Sequence, residues 1–175
     1  MSRFCKMTAA IFRRSLFDEA GLLDESFVSY LEDVDFGLRC ALAGREGIYV
    51  PEAVGQHRGS STLGGWNSDT VRLLSRNQVL LAAKYFRGQP WLPVLAGQLL
   101  WGLLALRHGQ GLSYLRGKLS GLWVARALPS KHRRNSLQTR RLRPLIEASE
   151  RAILELQRQT GSDWYWRAYF WLQRR

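Results

Sequence analysis

The sequence predicts an α/β head followed by an all-helical, membrane-associated tail. Three observations predict it. Two short apolar runs, residues 7–12 and 47–50, bracket stretches with helical spacing in the first third of the chain. After Gly65 the apolar residues recur at helical intervals throughout. Charge divides at the same place: residues 1–65 hold seven Lys/Arg against nine Asp/Glu, and residues 66–175 hold nineteen against five, within a 175-residue chain of net charge +12.

In chain order, residues 7–12 read as a short buried strand. Ser15, with Asp18 three positions on, has the spacing of a capping box for a short helix that Gly21 ends. Residues 33–43 read as a second helix closed by Gly44, with Val34, Leu38, Ala41 and Leu42 on one face. Residues 47–50 make another short strand, stopped by Pro51, and a Gly/Ser-rich loop runs from Gly55 to Gly65. Ser68 or Asp69 caps a helix reaching about Phe86. Residues 91–106 are almost continuously apolar. Residues 112–128 place Leu112, Leu115, Leu119, Leu122 and Trp123 on one side. Residues 131–143 are dense in Arg, and Pro144 suits the first turn of a following helix that aligns Leu145, Ile146, Ile153 and Leu156. Residues 164–175 set six aromatics among three arginines. The implied divisions are 1–66, 67–130 and 131–175.

At 46% apolar residues the chain can bury a core, and no period of 20–50 residues marks a repeat architecture. The first residues lack the apolar run and small-residue cleavage site of a signal peptide. Two cysteines, Cys5 and Cys40, do not make a disulfide framework and read as reduced thiols in the cytosol. The basic balance after residue 65 seeks a polyanion, either an anionic membrane face or nucleic acid.

The chemistry-bearing stretch opens with Arg13-Arg14-Ser15-Leu16-Phe17-Asp18-Glu19-Ala20-Gly21-Leu22-Leu23-Asp24-Glu25-Ser26-Phe27. It continues with Tyr30-Leu31-Glu32-Asp33-Val34-Asp35-Phe36-Gly37-Leu38-Arg39, then His57-Arg58-Gly59-Ser60-Ser61. Taken alone, three acids where a loop becomes a helix favour the helix dipole without any catalysis. A single His is commonly a polar loop residue, and Gly59-Ser60-Ser61 an ordinary turn. In combination, Arg-Arg-x-x-Phe, Gly-x-x-Asp-Glu-x-Phe, Glu-Asp-x-Asp and a later His closely resemble family 2 glycosyltransferases, particularly the rhamnosyltransferase-like bacterial members. The resemblance is tight over residues 7–87 and looser beyond.

The resemblance implies the C-terminal portion of a Rossmann-like GT-A domain and inverting transfer of a sugar from a nucleotide-sugar donor to a glycan or lipid-linked acceptor. Such a transfer needs a base for the acceptor hydroxyl and a divalent cation, Mn or Mg, for the leaving diphosphate. The resemblance assigns the base to Asp33, with Glu32 orienting it or contacting acceptor hydroxyls and Asp35 capping or bracing the helix. It assigns a metal-ligand role to His57, and diphosphate or substrate contacts to Arg58, Ser60, Ser61, Arg76 and Asn77; a solvated helix face is the alternative for the last two.

The same resemblance expects a nucleotide-binding half with an Asp-x-Asp motif, and no such unit precedes residue 7. The cation site is then incomplete in this chain, which is expected to be inactive alone. It reads as a truncated gene, a mis-started frame, or one part of a split enzyme with a separately encoded N-terminal half. No Gln-x-x-Arg-Trp of the processive synthases is present, which fits single addition.

Residues 91–106 are short of the ~20 needed to span a bilayer. They fit an in-plane interfacial helix or a hairpin with 112–128, with packing in a helical core as the alternative. The Arg-rich 131–143 and the terminal aromatics suit anionic lipid and an interfacial belt. The expected location is cytoplasmic, peripheral on the inner face of the plasma membrane, with no nucleic-acid partner. The competing reading is a non-catalytic membrane- or nucleic-acid-binding helical protein that retains an enzyme remnant.

Overall fold

The computed structural model describes residues 10–48, 50, 52–55, 66–86, 91–128, 136–161 and 164–173. They pack as two units, Met1–Gly65 and Trp66–Arg175. No strand occurs among the described residues. The expected α/β layer is therefore corrected to a helical arrangement. Residues 10–12, 47, 48 and 50 are irregular, while residues 7–9 and Tyr49 lie outside the described residues. The physical reason is that a strand is not a local object. Its N–H and C=O groups need a neighbouring strand, and its apolar face needs something to cover it. Ile11, Ile48 and Val50 are all exposed, so neither run finds a layer to join.

In the first unit, helix α1 (Arg14–Ala20) starts one residue before Ser15. Its N-cap is Arg13 and no side chain caps it, so the expected capping box does not form. Gly21 ends α1 at φ +79°, donating its N–H to the carbonyl of Phe17. Asp24 then caps a single 3₁₀ turn, Glu25–Phe27, by accepting from the Ser26 N–H at 2.9 Å. Helix α2 (Glu32–Leu42) follows, carrying Glu32, Asp33 and Asp35 in its first turn and Arg39 in its last, the order the helix dipole favours. Phe12 and Phe17 meet Phe36 at ring separations of 5.3 and 5.1 Å. Phe27 and Phe36 are fully buried, each worth about 1.5–3 kcal/mol of transfer free energy.

The second unit is helical in every described element. Helix α3 (Ser68–Tyr85) is capped by Asn67, whose Oδ1 accepts from the Thr70 N–H at 2.8 Å. Helices α4 (Trp91–Arg107) and α5 (Gly111–Ala127) form a hairpin about a turn at His108–Gln110, in which Gly109 adopts φ +71°. Helix α5 lies so close to α3 that a Cβ on Gly117 would sit 2.3 Å from the Arg72 carbonyl oxygen, and one on Gly121 2.6 Å from that of Arg76. Only a hydrogen at these positions allows the two backbones to meet. Helix α6 (Ser136–Thr160) carries Pro144 in its interior, not in its first turn as the sequence pattern suggested. A proline there forfeits one main-chain hydrogen bond, and the helix runs through it. Helix α7 (Trp164–Gln173) packs against α4, bringing Tyr169 beside Gly97. No helix among the described residues is long and apolar enough to cross a membrane.

Candidate functional site

Glu32 and Asp33 open α2, and the backbone that delivers them is strained. Val28 (φ +62°), Tyr30 (φ +69°) and Leu31 (φ +67°) all have positive φ and none is glycine. Such conformations cost about 1–3 kcal/mol each and persist where the surroundings over-determine them. Val28, β-branched and exposed, is the costliest of the three. Leu31 serves as the N-cap of α2 with no side-chain hydrogen bond, and the Asp35 N–H donates to the Leu31 carbonyl at 3.0 Å.

Asp33 is half-exposed, and its Oδ1 accepts from the Val34 N–H at 2.8 Å. Glu32 Oε2 and Ser26 Oγ are buried atoms without a hydrogen-bond partner among the described residues. Asp35 points the other way. It is fully buried and pairs with Arg39 Nε at 3.0 Å. Arg39 in turn donates to the carbonyls of Ala20, Gly21 (3.0 Å) and Leu22 (2.8 Å), and its guanidinium stands 5.1 Å from the centre of the Phe36 ring. One arginine thus ties the end of α1 and the turn after it to α2. The three acids of the Glu-Asp-x-Asp motif therefore divide: Asp33 is half-exposed at the helix start, Glu32 has one carboxylate oxygen buried, and Asp35 braces the helix from within.

His57, Arg58, Ser60 and Ser61 lie outside the described residues. Arg76 and Asn77 belong to the second unit, on α3. Asn77 is fully buried and accepts from Arg76 at 2.6 Å, while the Arg76 carbonyl lies against Gly121. Their surroundings are those of a helix seam, not of a solvated face. Burial, and then Arg72 nearby, lower the Arg76 pKa.

Among the described residues no three His, Cys, Asp or Glu side chains gather where they could hold one metal ion. His57, the ligand that the resemblance implies for the divalent cation, lies outside the described residues, and the Asp35 carboxylate is engaged by Arg39.

The sequence reading missed the Arg39 tie and the strained loop. The first had a signal, since Asp35 and Arg39 stand one helical turn apart and invite an ion pair. The second had none, because Val, Tyr and Leu do not mark positive-φ positions.

No protein-family model matches the chain, and no solved structure matches it. A stretch of 53 residues is 45% identical to an N-acetylglucosaminyl-diphospho-decaprenol L-rhamnosyltransferase from Mycobacterium tuberculosis (strain CDC 1551 / Oshkosh), covering 30% of this chain and 17% of that protein. The same identity and coverage hold for the protein of that name in strain ATCC 25618 / H37Rv. The chain matches less than a fifth of the length of these curated relatives. The partial similarity supports a glycosyltransferase relationship at that coarse level.

Proposed function

We propose that this chain supplies the acceptor-side catalytic segment of an inverting glycosyltransferase that moves a sugar from a nucleotide-activated donor to a glycan or lipid-linked acceptor, in the making of a cell-surface polysaccharide. The observation that carries the reading is the strained turn Val28–Leu31 delivering Glu32 and Asp33 at the open end of a braced helix. Strain of this kind is kept where position matters more than stability. In this reading Asp33 removes the proton from the acceptor hydroxyl as its oxygen attacks the anomeric carbon. Glu32, beside it in the first turn, orients Asp33 or contacts acceptor hydroxyls.

The names of the partial relatives specify an L-rhamnosyl group and a lipid-linked sugar diphosphate, and we extend that class of donor and acceptor to this chain. Donor binding and the cation belong to a nucleotide-binding segment outside the described residues. Without such a segment the chain is expected to be inactive.

The test supplies that segment on the same polypeptide and measures transfer from a nucleotide-activated rhamnose to a lipid-linked amino-sugar diphosphate. Asp33→Asn should lower kcat, whereas Glu32→Gln should mainly raise the KM for acceptor. If both variants keep the parent kcat and KM, neither residue has the role assigned here.

A further inference from the structure

The second unit buries polar groups beside Val71, Leu80 and Tyr85, and leaves many leucines exposed. Lys118 lies between α3 and α4, donating to Gln78 Oε1 at 2.7 Å and to Gln98 Oε1. Trp101 Nε1 donates to Ser75 Oγ at 3.3 Å, and Tyr114 donates to the Gln98 carbonyl at 3.0 Å. Ser75 and Asn77 are fully buried, and Lys84 nearly so.

The outer side is the reverse. On α4, Leu95, Leu99, Leu103 and Leu106 are exposed, and on α5, Leu112, Leu115, Leu119, Leu122 and Trp123 are exposed. Their spacing puts each set on one stripe. The α5 stripe lies opposite Gly117 and Gly121, which face α3; the α4 stripe lies away from Trp101, which also reaches α3. The two stripes therefore share the outer side of one hairpin. In water nine large exposed apolar side chains on one hairpin are a liability, and a patch of this kind marks an interaction surface.

Charge identifies the partner. On the hairpin, residues 91–127, the sequence contains Arg107, Arg116, Lys118 and Arg126 and no Asp or Glu. Exposed Arg107 stands at the hairpin turn and exposed Arg116 between the leucines of α5, where its stem is long enough to carry the guanidinium up to a phosphate. At 17 residues, each helix is about 26 Å long, short of the ~30 Å hydrocarbon core.

We infer that the α4–α5 hairpin lies in the plane of an anionic bilayer surface, its two leucine stripes and Trp123 immersed at the acyl boundary and its basic residues among the lipid phosphates. The inference stands on the second unit alone and does not depend on sugar transfer. Apolar area supplies the part of binding that salt leaves intact, and the basic charge of exposed Arg107 and Arg116 supplies the part that salt removes.

Sedimentation of the full chain with vesicles tests it. Vesicles of equal parts phosphatidylcholine and phosphatidylglycerol should bind more tightly than phosphatidylcholine alone. The difference should vanish as salt rises from ~0.1 to ~1 M, which shortens the screening length from ~10 to ~3 Å. Replacing Leu99 and Leu119 together by Gln should weaken the residual high-salt binding by at least about tenfold. Leu22→Gln, at a still more exposed leucine of the first unit, should change nothing. Acyl-brominated lipids should quench a fluorescence component that Trp123→Phe removes. Unchanged binding by the leucine variant, or no quenching assignable to Trp123, would overturn the inference. So would a dimer broken by the same leucine substitutions that vesicles fail to dissociate, or tight binding to single-stranded DNA without binding to anionic vesicles.

Discussion

Asp35 and Arg39 form a buried ion pair one turn apart on α2, with Oδ2 and Nε 3.0 Å apart. The pair matters through what Arg39 does with its remaining donors, which close the carbonyls of Ala20, Gly21 and Leu22 onto α2. Breaking a buried pair by removing one partner leaves an uncompensated charge, at a cost of about 3–5 kcal/mol. We therefore expect Arg39→Met to destabilise the first unit by that order, read as a drop in the urea midpoint. A loss below about 1 kcal/mol would mean that the pair is not the tie described here.

The seam between α3 and α5 makes a second expectation. Gly117→Ala and Gly121→Ala each drive a methyl group into a main-chain carbonyl, at 2.3 and 2.6 Å. Backbone cannot step aside as a side-chain tip can, so each should destabilise by about 1–3 kcal/mol. Gly55→Ala, with open space around it, is the control and should be nearly silent. Thermal unfolding of the three variants decides it; equal midpoints for all three would contradict the close approach.

The strained turn can be probed by relief. Val28 is exposed and has positive φ, so Val28→Gly loses little packing while releasing backbone strain. After the extra chain entropy of glycine in the unfolded state is subtracted, we expect a gain of about 1 kcal/mol in the first unit. The same change should impair transfer in the reconstituted enzyme, because a relaxed turn no longer fixes Glu32 and Asp33. A clear loss of stability would show that Val28 is not strained.

Lys118 gives a pH expectation. Burial lowers its pKa from 10.5 to about 8. Below pH 8 both folded and unfolded chains are protonated there, and the folded state carries the full penalty of the buried charge. Between pH 8 and 10.5 the folded chain releases the proton while the unfolded chain keeps it, so stability rises with pH across that window. Denaturant unfolding at pH 7, 8, 9 and 10 should show the rise, and Lys118→Met should flatten it. A flat profile in the parent chain would contradict the burial.

How much of this was legible in the sequence depended on the range of the interaction. Helices α3, α4 and α5 lie within a residue or two of where caps, apolar content and apolar spacing put them, because these are local signals. The strands expected at 7–12 and 47–50 failed because β structure depends on distant partners that a short apolar run does not reveal. Ser15 and Ser68 or Asp69 looked like caps; the backbone instead chose Arg13 and Asn67, a shift of one or two residues that local chemistry does not resolve. The pattern makes Pro144 a helix start, yet α6 continues through it. At the candidate site, the placement of Glu32 and Asp33 at a helix start followed from pattern. The positive-φ turn before them, and the seam role of Gly117 and Gly121, emerged only from the packing.

The most direct measurement of the central claim pairs catalysis with folding in one variant, Asp33→Asn. Asp33 accepts from the neighbouring Val34 N–H among the described residues, so its loss should leave the unfolding free energy within about 1 kcal/mol of the parent. As the general base, its loss should lower the transfer rate of the enzyme completed with a nucleotide-binding segment by about 100-fold or more. A collapse in rate with folding intact is the result we expect. A parent-like rate, or a rate that falls only in step with a loss of folded protein, would contradict the assignment.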